Sequence, residues 1–429
     1  MYNQNSISKT QSNVGIGMLV VSLAALFYCY EYLLRVAPSV MNAELMAHYQ
    51  INDFQLGSLT AYYYYIYAPM QLPVGLLVDR YGPKRLMVFA CLCCAVGAYL
   101  FVCSHSLLIA KLGRFLVGLG SSFAFVGVLK LATIYLPKNH FAVVSGMTMA
   151  LGQLGAMLGD VLLTVMIKYD GWQKASIHAA IFGLVLTFAL IAIFRIRTKD
   201  DDESNATPKD QPRTRNVIAG FVELAKNKEL WKTSVMGCLL WVPIVVFAEY
   251  LGIDYLKTVF NLTSGQAAMA NSMIFIGMAS GGPLVTTLSN KLESRLLPIK
   301  VGCVISALCM STVIMMPNMP IPLLFLALYL TGLTTSTQVI VFPMAEEIAS
   351  KGSAGTALAL TNMLVMISGI IFQPLTGYLL NTTQIGEATH IAGDFQYALG
   401  YIPLAIISTL FVALMTNETF RQTEDPDLV

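Results

Sequence analysis

The chain has 429 residues, 56% of them apolar and only 12% charged, with a formal net charge of +2 and a mean hydropathy of +0.66. Those values lie far outside the range of soluble domains and define an integral membrane protein whose surroundings are a lipid bilayer. No basic tail or aromatic-basic patch points to a nucleic-acid partner.

A hydrocarbon core of roughly 30 Å takes about 20 apolar residues per helix. Windows of that length recur along the whole chain and predict twelve spanning helices: 14–36, 56–78, 86–104, 107–129, 141–165, 175–195, 233–256, 267–289, 299–317, 322–343, 356–380 and 396–416. The first window is too long for a cleaved leader and lacks a small-residue cleavage site, so it is expected to remain as a helix. "YDGWQK" and "PNMPIP" read as hairpin turns. The segment "KDDDESNATPKDQPRTR" is too charged to fold alone and divides the chain into two sets of six. The expected division is an amino-terminal bundle over 1–195, a linker over 196–232 and a carboxy-terminal bundle over 233–429. Within the linker, "NVIAGFVELAKNKELW" carries apolar residues at helical spacing. It is expected either along the inner membrane surface or as an extension of the seventh helix.

Orientation follows from the basic residues. With the amino terminus inside, Lys111, Lys168, Lys174 and Lys257 fall outside, Arg35, Arg114 and Lys130 fall within spans, and the other nineteen of the 26 Lys and Arg residues fall inside. Both termini are therefore expected to be cytoplasmic. Seven of the eight cysteines lie within apolar runs, with Cys103 at the edge of one, and read as small buried hydrophobes with no metal or disulfide role. No phosphate-binding loop, zinc-ligand spacing or hydrolase elbow appears, so neither enzymatic activity nor a cofactor is expected.

The two halves echo each other. "CYEYL" at 29–33 returns as "FAEYL" at 247–251, which places Glu31 and Glu249 at matching points of the first helix of each half. "RFLVGLGSS" at 114–122 has a looser echo in "LYLTGLTTS" at 328–336. Between the second and third spans stands "GLLVDRYGPKRL", with Gly75, Asp79, Arg80, Gly82, Lys84 and Arg85 in the order G-x-x-x-D-R-x-G-x-K-R. Its glycines permit a tight turn and close helix approach. Asp79 can engage a helix terminus or a basic partner, so the loop can act as a conformational latch. The counterpart "TTLSNKLESRL" has Asn290 where Asp79 would be and reads as a degraded latch.

This loop resembles the signature of the major facilitator superfamily. So does "LIAKLGRFLVGLGSS", with Arg114, Gly118 and Gly120, while Gly146, Gly155 and Gly159 on the fifth helix keep a spacing found in antiporters. Asp160 stands there where that pattern has proline. The resemblance implies an all-α membrane protein, two pseudo-symmetric six-helix bundles around a central site that opens alternately to either side. A narrower likeness, carried by "EYLLRVAPSVM" and "GSLTAYYYYIYAPMQLPVGLLVDRYGPKRL", is to the branch holding lysosomal dipeptide transporters and phagosomal nutrient transporters of intracellular bacteria. It implies an amino acid, short peptide or similar small polar solute, and a bacterial inner membrane.

Charges inside a bilayer are costly and usually line a cavity, paired with one another. From the rise of about 1.5 Å per residue, Arg114 and Glu249 fall roughly 6 Å to the outer side of the midplane, and Glu31 and Asp160 roughly 9 Å. Lys130 and Asp254 fall close enough to an interface to reach water. Glu31 and Arg35 share a helix face and read either as a self-neutralising pair or as substrate machinery. In the second reading Arg35 offers its planar fork to a carboxylate or phosphate, while Glu31, Asp160 or Glu249 carries a coupled proton. A first-helix arginine shortly before a proline, here Pro38, also resembles superfamily members that move organic phosphates. Tyr63 and Tyr67 share a face of the tyrosine run 62–67 and are candidate cavity donors. Gln338 is the candidate polar lining of the tenth helix.

The expected function is thus a uniporter or proton-coupled importer of a small zwitterionic or anionic solute, acting as a monomer. A proton-driven efflux antiporter, an organic phosphate or organic anion exchanger, and a non-transporting receptor on the same scaffold are the alternatives.

Overall fold

The computed structural model of the protein describes residues 4–137, 141–195, 221–350, 352–383 and 390–420. Twelve long helices run through them. In the first half they are α1 Gln4–Val36, α2 Asp53–Tyr81, α3 Pro83–Leu100, α4 Leu107–Tyr135, α5 Phe141–Asp170 and α6 Trp172–Phe194. In the second they are α7 Lys228–Phe260, α8 Ser264–Lys291, α9 Leu296–Met315, α10 Ile321–Ile348, α11 Ala354–Thr383 and α12 Ala392–Leu414. Eleven are long and apolar enough to cross a bilayer. The twelfth, α2, has the length at 29 residues but dilutes its apolar run with tyrosines and glutamines.

Local chemistry sets the boundaries. Asn52 and Gln55 form a reciprocal capping box that starts α2, and the Asn227 side chain accepts from Glu229 and Leu230 N–H to start α7. That start lies ahead of the expected 233. Gly82 ends α2 with φ of +80°, a conformation that a side chain would strain, and so turns the chain directly into α3.

The packing repeats between the halves. In the first, α1 packs on α5, α3 on α6, and α4 on both α2 and α3; in the second, α7 packs on α11, α9 on α12, and α10 on both α8 and α9. The two halves meet through α2 against α11 and α5 against α8, contacts that the same pseudo-symmetry interchanges. Large apolar side chains such as Val185, Phe188, Leu308, Leu404 and Phe411 point outward, as a lipid-facing belt requires.

One end of the molecule carries the Gly82 turn and is called here the motif end; the other carries Asp53. Hydrogen bonds between the halves gather toward the Asp53 end. Tyr250 donates to Asp53 O (3.1 Å), Asn42 Nδ2 donates to Tyr250 O (2.7 Å) and Asp254 Oδ2 (2.9 Å), and His390 Nε2 lies 3.1 Å from Asp53 Oδ2. Backbones touch there too: a Cβ on Gly57 would collide with Gln373 O, and one on Gly377 with Asp53 O. Near the motif end, Asn362 Nδ2 to Gln71 Oε1 (2.8 Å) is the single such bond among the described residues.

Three readings of the sequence change. Asp254 is not left to reach water alone, because it accepts from Asn42 across the halves as well as from Lys257. The described part of the amphipathic segment packs against protein: Leu224 is buried among Leu230, Ala345, Ala357 and Leu360. Residues 196–220, which include the charged linker and the start of that segment, lie outside the described residues. The second-half loop, though it lacks the acid at Asn290, is tied down by other bonds. Arg295 forms a partly buried pair with Glu347 at 2.7 Å, donates to Asn290 Oδ1 at 2.8 Å and stacks on Phe420. Glu418 meanwhile accepts from Arg295 N–H and Leu296 N–H at the start of α9.

Candidate functional site

Pro38 has no N–H, so the Leu34 carbonyl, four residues earlier, loses its helical partner and α1 stops at Val36. A 3-10 turn follows over Ala37–Val40. Arg114, from α4, repairs the break: Nη1 donates to Leu34 O at 2.8 Å and Nη2 to Arg35 O at 3.2 Å. A guanidinium at a helix carboxyl end also suits the helix dipole.

Just inside that break, Arg35 is 1% exposed and Glu31 fully buried, with their charged atoms 3.4 Å apart. The Arg35 guanidinium carbon lies 4.1 Å from the Tyr32 ring centroid, 5.0 Å from Tyr67 and 5.2 Å from Tyr63. Each such contact stabilises the cation by about 0.5–2 kcal/mol, more as water is excluded. Tyr63 and Tyr67 stack on each other, and the Tyr63 hydroxyl donates to Glu31 at 3.3 Å. Gly118 lets α4 approach: a Cβ there would strike the Tyr63 carbonyl. Arg35 Nε and Nη1 have no hydrogen-bond partner although both are buried.

The second half breaks its first helix differently. From Pro243 to Leu251 α7 winds as a π-helix, a form concentrated at functional sites. Glu249 sits in this turn, 2% exposed, and accepts from the Tyr64 hydroxyl of α2. Three side-chain amides from other segments satisfy carbonyls of the turn: Gln373 donates to Val245 O (2.9 Å), Asn271 to Ala248 O (2.8 Å) and Asn42 to Tyr250 O (2.7 Å). Asn271 donates as well to Asp160 Oδ2 at 2.7 Å, and Ser39 to Asp160 Oδ1 at 3.4 Å. Asp160 is thereby tied to the break in α1 and, through Asn271, to the turn in α7.

Glu31, Arg35, Tyr63 and Tyr67 thus come together, Arg114 joins them from behind through the backbone, and Glu249 and Asp160 bridge the halves. Gln338 lies buried on a 3-10 turn, Ser336–Ile340, and no hydrogen bond joins it to this cluster among the described residues. In the loop motif, Asp79 pairs with Lys130 of α4 at 2.8 Å, both exposed, and Lys84 lies over the Tyr135 ring. Lys130 therefore has a partner that its position near an interface did not reveal. Around Gly75 and Gly146 there is open space, whereas Gly155 and Gly159 pack on Cys29 and Val36 of α1. Sequence reasoning missed Tyr32, Tyr64, Asn42, Asn271 and Gln373. The signal for the amides was there, since each carboxamide interrupts or adjoins an apolar run, as does Gln338, the one amide singled out from the sequence as polar lining.

A family model described as Major Facilitator Superfamily matches residues 20–373. The chain belongs to the Major Facilitator Superfamily. Its fold resembles the crystal structure of a bacterial homolog to the human lysosomal transporter Spinster in an inward-facing, unoccupied conformation, with a TM-score of 0.73 at 15% identity over 93% of this chain and 95% of that one. Among curated proteins it is 24% identical to a probable sulfoacetate transporter of Cupriavidus necator, over 93% of this chain and 96% of that protein. It is 21% identical to the lysosomal dipeptide transporter of Homo sapiens, over 83% and 77% respectively. This superfamily member is a membrane transporter and not an enzyme.

Proposed function

We propose that this protein imports a small carboxylate-bearing nutrient, an amino acid, dipeptide or comparable anion, as a uniporter or with protons, by alternating access. The observation that carries the reading is Arg35: a buried guanidinium whose Nε and Nη1 have no partner, walled by three tyrosines at the break of α1. Each bidentate edge of the guanidinium pairs one of these nitrogens with Nη2, which Glu31 now holds, so a carboxylate that takes the place of Glu31 meets two parallel donors. The relatives support the same chemistry, since sulfoacetate and a dipeptide differ in size and net charge but each carries a carboxylate. Glu31 neutralises Arg35 when the site is empty, and Glu249 or Asp160 is the coupled proton carrier.

The first bundle ends near 195 and the second begins with α7 at Lys228, and the molecule works as a monomer in a bacterial inner membrane with both termini cytoplasmic. In that orientation the Asp53 end faces outward. The bonds gathered there support reading this end as a closed outer gate, with the proposed latch residue Asp79 held by Lys130 in its own half.

Counterflow into proteoliposomes tests this, using labelled amino acids, dipeptides and sulfoacetate, with and without a pH gradient. Saturable, carboxylate-dependent exchange is expected. Exchange confined to organic phosphates would transfer the assignment to anion exchange, and accumulation only against an opposing proton gradient would transfer it to efflux.

A further inference from the structure

Asn271 makes two bonds with one amide group. Its nitrogen donates to Asp160 Oδ2, in the first half, and to Ala248 O, in the π-turn of the second, while its own oxygen has no partner and the residue is fully buried. Within the π-turn, bonding runs five residues back, as Gly252 N–H to Phe247 O shows, and then returns to four in the helix that follows. Such a return skips one carbonyl, and a buried carbonyl without a donor costs about 1–3 kcal/mol. Ala248 O is the carbonyl that Asn271 serves. The next residue is Glu249, whose carboxylate accepts from Tyr64. Were the turn to relax to α spacing, the helix would lose its extra residue and Glu249 would rotate by about 100° away from α2.

We infer that Asn271 is a positioning residue for Glu249: by donating to Ala248 O while anchored on Asp160, it holds the π-turn in the register that keeps Glu249 on Tyr64. The two carboxylates that bridge the halves are thereby mechanically linked through one amide. Ser39 and Thr164 also touch Asp160, but neither reaches α7. Gln373 and Asn42 serve other carbonyls of the turn and do not touch Asp160.

The inference rests on Glu249 being part of the transport site, yet its test needs no substrate. Dicyclohexylcarbodiimide, a membrane-soluble reagent, modifies protonated carboxyl groups, and the rate at Glu249 is read by mass spectrometry of the peptide that contains it. A Glu249 that has lost its Tyr64 partner is open to the reagent and reacts faster. Tyr64→Phe sets the scale, and Asn271→Ala is expected to raise the rate at least threefold, as Tyr64→Phe does. The decisive variant exchanges the partners, Asp160→Asn with Asn271→Asp. It restores a bond between the halves but offers Ala248 O no donor, so thermal stability should recover relative to Asn271→Asp alone while Glu249 labelling stays at least threefold above wild type. An Asn271→Ala rate within threefold of wild type, no rise in Tyr64→Phe, or a return to the wild-type rate in the exchanged variant would each overturn the inference. A wrong substrate class leaves these rates unchanged, and failure here leaves the flux test of Arg35 standing.

Discussion

The Arg114 guanidinium occupies the carbonyl of Leu34 that Pro38 leaves without a helical donor. Its role in the resting structure is thus to finish α1, which fixes the backbone of Arg35 and the direction in which that side chain points. Arg114→Ala strands two buried carbonyls and should cost about 2–4 kcal/mol, read as a drop in apparent melting temperature in detergent. Pro38→Ala returns an N–H to Leu34. In that background the loss on Arg114→Ala should shrink by about 1 kcal/mol, and strictly additive losses would show that the arginine acts elsewhere.

Arg35→Lys separates charge from shape. The ammonium keeps Glu31 neutralised, so the protein should fold and remain monodisperse. It cannot present a planar pair of donors or lie flat between Tyr32, Tyr63 and Tyr67. Counterflow of the carboxylate substrate should fall at least 100-fold, corresponding to about 2.7 kcal/mol. Near-normal flux in the lysine variant would return Arg35 to the role of a structural partner for Glu31.

The sequence disclosed what lipid makes expensive. Twelve apolar windows and the five charges lying deepest within them could be read because a helix must span about 30 Å of hydrocarbon and a charge inside must be answered. Glu31, Arg35, Arg114, Asp160 and Glu249 all prove buried, and each has a polar partner. What stayed hidden depends on angles that one-dimensional spacing does not carry. Tyr63 and Tyr67 could be picked as sharing a face, but Tyr64 meets Glu249 on a π-turn of α7 whose winding the 3.6-residue spacing does not describe. Pro243 was the sole local hint of the turn. The amides that stabilise it come from segments far away in sequence, so no local pattern pairs Asn271 with Ala248. Lys130 likewise looked free because its partner, Asp79, lies on another helix.

The two loop clusters should respond differently to loss of charge. Arg295 and Glu347 are each about one-tenth exposed and share further bonds to Asn290, Ser289 and Thr419. Glu347→Gln leaves a largely buried guanidinium short of its counter-charge and should lower stability by about 2 kcal/mol, between the exposed and fully buried limits. The Asp79–Lys130 pair is 60% and 43% exposed, and Asp79→Asn should change stability by less than about 1 kcal/mol. If Asp79 is the latch, that same variant will alter transport rate while leaving the melting temperature almost fixed. Parallel effects of both variants on stability would make the first-half loop another structural tie.

At the Asp53 end, His390 connects the halves through its imidazole. It lies between α11 and α12, outside the spanning segments, with Nε2 3.1 Å from Asp53 Oδ2 and Nδ1 3.8 Å from Asp394. Its pKa is raised above the ordinary value, first by the bond to Asp53, with Asp394 and Asp254 adding and partial burial opposing. A histidine whose folded pKa is raised stabilises the folded form below its unfolded pKa of about 6.5, and the contribution fades as pH rises through the raised value. The melting temperature of wild type should therefore exceed that of His390→Gln most at pH 5.5–6, with the gap closing on the alkaline side of about 6.5. Because Asp53 and His390 belong to opposite halves, acid should also favour closure of this end. A cysteine introduced at its rim should then react more slowly with an impermeant maleimide at pH 5.5 than at pH 8 in wild type, but not in His390→Gln. A gap in melting temperature that keeps the same size across this range would mean that His390 contributes packing alone.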